Sequence, residues 1–143
     1  MNVTDDVRDH HTRCAQDRAR LQMLASDPGG APLPPGAVRQ VVQATSAVLA
    51  EAREAARTAL TAGPASRRPS GRRSFLAARL ARLENAAHEA IASARDGDTA
   101  ALRQRLRRFD TLTSAMWTVQ LAVCDQGGSR RPARRPLVTR AAR

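Results

Sequence analysis

The chain has no tyrosine and no lysine, and only one tryptophan, two phenylalanines and two cysteines in 143 residues. So few aromatics leave no platform for stacking the bases of single-stranded nucleic acid. Two cysteines, Cys14 and Cys124, are too few for a disulfide-stapled scaffold, and the expectation is reduced thiols in a cytoplasmic protein. No apolar run reaches the ~20 residues of a membrane-spanning helix, so no membrane partner is expected. The opening stretch MNVTDDVRDHH is acidic and polar, unlike a signal peptide. Phosphate-binding glycine loops, nucleophile elbows and zinc-protease motifs are missing too. The reading is therefore a non-enzyme with no cofactor.

Large apolar residues are also scarce. Leu, Ile, Val and Phe total 25, which at a net charge of +11 would by itself point to disorder. Two observations oppose it. Alanine, the best helix former, adds 29 residues. The charge is also segregated: residues 1–62 are net neutral, 63–73 hold four Arg and no acid, 74–126 are net +1, and 127–143 hold six Arg and no acid. Ten of the eleven units of net positive charge therefore sit in two short stretches rich in Pro, Gly and Ser. The patterned body is close to neutral.

That body reads as helices, because its apolar residues recur at steps of three and four. A first helix is expected over about 4–26, capped by Asn2 or Thr4 and with a thin stripe of Val7, Cys14, Leu21 and Leu24 that His10 or His11 must complete. The stiff link APLPPG leads to a second helix over about 37–62, whose buried face turns to alanine toward its end. A basic loop, 63–73, precedes a third helix over 74–96, and Gly97 separates that from a fourth over 99–125. Residues 128–143 read as a disordered arginine-rich tail. Four helices with short links define an all-α protein, an antiparallel four-helix bundle within 1–127, which dimerisation could complete.

The fourth helix organises the rest. Leu102, Leu106, Phe109, Leu112, Met116, Val119 and Val123 form one stripe, and Trp117, Leu121 and Cys124 add a second in its carboxyl half. A helix apolar on several sides needs cover on several sides. Met116, Trp117, Leu121 and Cys124 are thus expected to meet another copy of the chain or a protein partner, since Trp and Met are enriched in interface cores. The competing expectation uses charge. Arg67, Arg68, Arg72 and Arg73 in the loop, Arg130, Arg131, Arg134 and Arg135 in the tail, and Arg103, Arg105, Arg107 and Arg108 on the fourth helix could neutralise phosphates of nucleic acid without reading sequence. Third is a metal- or small-molecule-binding bundle. His10, His11, Cys14 and Asp17 lie close together on the first helix, but no second cluster supplies the remaining ligands. Glu84 and His88 have a spacing of four where di-iron bundles use three.

Overall fold

The computed structural model describes residues 2–26, 32–61 and 69–128, with side chains from 71 to 125 in the last segment. It is all-helical: α1 (Val3–Arg13), α2 (Ala15–Ala25), α3 (Ala37–Thr61), α4 (Pro69–Asp96) and α5 (Thr99–Gly128), with no strand among the described residues.

The helix starts follow from local chemistry. The Asn2 side chain accepts the Asp5 amide at 2.9 Å, and Asp5 and Asp6 place negative charge in the first turn. Asp98 does the same for α5, accepting the Ala101 amide at 3.1 Å. Between α4 and α5 the chain reverses at Gly97, whose φ of +73° is costly for any residue with a Cβ. The Gly97 and Asp98 amides donate back to Ala94 and Ser93, the paired bonds of a Schellman turn.

Three boundaries differ from expectation. The first helix is broken at Cys14, although no Pro or Gly is near. Cys14 takes φ −98° and ψ 9°, and its thiol donates to the His11 carbonyl at 3.4 Å. The stripe of Val7, His11, Cys14, Leu21 and Ala25 nevertheless continues across the break, all of it buried. Helix α4 starts at Pro69, five residues earlier than expected at 74, because proline is well suited to a first helical position where no amide is needed. Helix α5 runs through Gly127 and Gly128; glycine weakens a helix without ending it unless the chain must turn.

Packing follows a simple plan. α1 and α2 lie against α3 and α5, α4 lies against the opposite side of the same two helices, and α3 and α5 touch each other. Among the described residues α4 makes no contact with α1 or α2. One end of the core gathers Leu21, Val41, Val48, Leu83, Leu106 and Phe109. The other gathers Val7, Leu76, Met116 and Val123 around Ala55, Ala56 and Ala59. The alanines let α3 approach its neighbours closely, but each buries little area at about 25 cal/mol per Å².

Candidate functional site

The most unusual chemistry lies where α1 crosses α5 and α3. Gln120 is fully buried, at 0% exposure. Its amide nitrogen donates to the Ala52 carbonyl on α3 at 2.9 Å, so its oxygen faces the other way, where it accepts from His11 Nε2–H at 2.7 Å. That arrangement assigns the proton of His11 to Nε2. The indole of Trp117 stacks on the His11 ring, with centroids 4.8 Å apart and planes inclined by 11°. One residue earlier, His10 Nδ1–H donates to the Glu51 carboxylate at 2.7 Å. Arg13 sits beside both groups, its Nη1 3.8 Å from the carboxylate.

Burial lowers the pKa of His11 from the ordinary imidazole value near 6.5; the Gln120 bond opposes the shift, Arg18 and His10 add to it, and Glu51 opposes it. The folded chain therefore keeps His11 neutral where the unfolded chain binds a proton. This stability is complete above about pH 6.5 and is lost as pH falls from there through the folded pKa. Urea midpoints should drop between pH 7.5 and 5.5, and the drop should be smaller in His11→Gln. Equal slopes in the two proteins would refute this.

Next to this seam α2 and α5 are joined by charge. Arg18 donates from Nε and Nη2 to Asp110 at 3.1 and 2.8 Å and from Nη2 to Ser114 at 2.9 Å. Gln22 adds bonds to the same carboxylate. Neither the Arg18–Asp110 pair nor Gln120 stood out by spacing, since a sequence does not reveal which polar residues meet across helices.

The expected interface residues are divided by the fold. Met116 and Cys124 are buried in the chain's own core, and burial raises the Cys124 thiol pKa. Trp117 and Leu121 are half-buried at the edge of α5. Between them and Ala115 and Val119, also half-buried, the solvent side of the helix presents Ser114, Thr118 and Ala122. No residue from Thr111 to Cys124 is charged. An uncharged helix face therefore runs about 20 Å at 1.5 Å per residue.

Three of the four fourth-helix arginines are engaged within the chain, and Arg108 is exposed. Arg105 donates to Ser93 Oγ at 2.9 Å and to the Glu89 carbonyl, and Arg107 donates to the Ala25 carbonyl at the end of α2 at 3.0 Å. Arg103 is buried. Of the basic loop, Arg72 and Arg73 fall in the first turns of α4, half-buried and exposed. Arg67, Arg68, Arg130, Arg131, Arg134 and Arg135 lie outside the described residues, as does the expected tail beyond Gly128. The first-helix cluster separates, His10 turning to Glu51 and His11 to Gln120. No group of three or more His, Cys, Asp or Glu placed to hold a metal occurs among the described residues, nor does any described helix have the length and apolarity to cross a membrane. Comparison with protein-family models, curated proteins and solved structures finds no match to this chain.

Proposed function

We propose that the chain is a non-enzymatic interaction module, an antiparallel four-helix bundle in which α1 and α2 count as one broken rod, and that it works by association with a second copy or a protein partner. Pairings descend on one helix as they ascend on the other: Arg18 with Asp110 and Ala25 with Arg107, for example. The observation that carries the functional reading is the uncharged outer face of α5 between Thr111 and Cys124, in a chain where 26% of residues are charged. Interface cores are depleted of charge, and small side chains let a second helix approach. Trp117, held flat against His11, supplies a rigid aromatic border. A cytoplasmic setting, with both thiols reduced, suits this reading.

Light scattering after gel filtration tests it. The wild-type chain is expected to be a dimer or larger. Ala122→Glu, at an exposed position that folding does not use, should weaken association at least about tenfold by burying an unpaired charge. Trp117→Ala and Leu121→Arg should act in the same direction. A wild-type protein that is strictly monomeric removes self-association. If that monomer is also held on duplex DNA at low salt, and loses this on deletion of 129–143, the function passes to the second reading, non-specific phosphate binding by the arginine-rich segments.

A further inference from the structure

Positive charge with no acid to meet it gathers on the amino-terminal half of α4. Arg72, Arg73, Arg79 and Arg82 lie there, and no Asp or Glu occurs between Glu54 and Glu84. Those two acids are already held, Glu54 by Arg57 and Glu84 by Arg53, both on α3. Glu89 is seven residues beyond Arg82, about 10 Å at 1.5 Å per residue, and Asp125 near the end of α5 has a partner of its own. Among the described residues none of the four α4 arginines pairs with an acid. Charge of this sign does not help the helix either. Arg72 stands in the first turn, at the positive end of the helix dipole, and that turn holds no acid.

The same stretch exposes an aromatic ring. Phe75 is 46% exposed, one of two large apolar side chains so exposed among the described residues. The Arg79 guanidinium lies 5.1 Å from its ring centroid, which keeps the ring beside positive charge. The other exposed positions from 74 to 81 are Ser74, Ala77, Ala78 and Ala81, too small to screen the ring. Leu76 and Leu83, on the opposite side of the helix, are buried in the core. Folding therefore uses the leucines and leaves the ring and the arginines outside.

We infer that this surface of α4 docks an acidic amphipathic helix of another protein, its carboxylates on Arg72, Arg73, Arg79 and Arg82 and an apolar side chain against Phe75. Nucleic-acid phosphates would meet the arginines but leave Phe75 against charge. A bilayer would find one large apolar side chain among alanines to take in, where interfacial helices offer a whole face. A second copy using this same surface would set arginine against arginine. The surface lies on a different helix from the uncharged face of α5 and can be filled whether or not that face pairs.

Titration of the isotope-labelled full chain, followed by NMR, tests the assignment with a designed peptide of about 20 residues, long enough to hold a helix. The peptide carries leucine on one face, glutamate on its flanks and alanine elsewhere. It should saturate one site, with amide shifts centred on residues 72–82. The same composition with the leucines scattered, and the same helix with lysine for glutamate, should each bind at least about tenfold more weakly. Phe75→Ser and Arg82→Glu change exposed positions, so both should fold with the wild-type circular dichroism spectrum. Phe75→Ser should weaken the peptide severalfold and Arg82→Glu about tenfold or more, while Trp117→Ala leaves it unchanged. A monomeric chain that binds the peptide in this way loses self-association and keeps the α4 site; a dimer that does not bind it loses the α4 site alone. Absence of saturation, shifts centred away from 72–82, equal affinity for either control peptide, or unaltered affinity in both α4 variants would overturn the assignment. So would duplex DNA or phosphatidylserine vesicles that bind through these arginines more tightly than the peptide does.

Discussion

Phe109→Ala should remove a third or more of the protein's stability, about 3–5 kcal/mol. Phe109 is 1% exposed at the centre of the larger core cluster. Truncating a buried Phe costs about 3–5 kcal/mol, and the cost rises with the volume of the cavity left behind. Here the cavity should persist. Many of the cluster's members are Ala44, Ala52, Ala86, Ala87 and Ala90, and alanine has no rotamer with which to reach into a void. The loss should therefore lie toward the upper end of that range, against a total stability of about 5–15 kcal/mol for a domain of ordinary kind. Phe109→Leu, which keeps most of the volume, should cost much less. Urea denaturation followed by far-ultraviolet circular dichroism measures both. If the alanine variant loses no more than the leucine variant, the alanine-rich surroundings collapse after all.

Gln120→Leu should produce the second large loss, about 2–4 kcal/mol, although it replaces a polar residue in the core by an apolar one. It takes away the acceptor of the buried His11 Nε2–H, and it removes the second hydrogen bond of the Ala52 carbonyl, which lies inside α3 and keeps its helical amide donor. A buried group left without a partner costs about 1–3 kcal/mol, and the carbonyl's lost second bond adds a smaller amount. The sharper test is a double-mutant cycle. In His11→Leu/Gln120→Leu the imidazole is gone as well, so the double variant should be more stable than the sum of the two single losses implies. Trp117 reports the same event, because its stack on His11 is released and its fluorescence should shift. Strictly additive losses with unchanged emission would show that His11 and Gln120 are not coupled.

The all-helical class was legible because three helices carry clean apolar steps: Val41, Val48 and Ala52 in α3, Leu76, Leu83 and Ala87 in α4, Leu102, Leu106 and Phe109 in α5. All of these are buried. The amino-terminal segment was harder to read. Three of its five buried positions are His11, Cys14 and Ala25, and its break at Cys14 has no residue that signals one. Spacing also could not divide the apolar surface of α5. It placed Met116 and Trp117 side by side in a broad apolar region, but which of them turned inward depended on where α1, α3 and α4 came to rest. The polar seam was invisible for the same reason: Gln120 looked like one of a few polar residues on a greasy helix, while its partners stand 68 and 109 residues away. The arginines of α5 were expected to be able to meet phosphate, and spacing gave no sign that Arg105 and Arg107 also bond Ser93 and the Ala25 carbonyl, as a guanidinium near a helix carboxyl terminus does.

The contacts of α1 and α2 have a consequence for the order in which the chain assembles as it is made. Arg18 must find Asp110, 92 positions later, and His11 must wait for Gln120. Helices α3 and α4 also wait for α5, but they are made closer to it in time. On the ribosome the earliest-made helices thus wait longest for a full set of neighbours, and until then His11 and Arg18 remain wet.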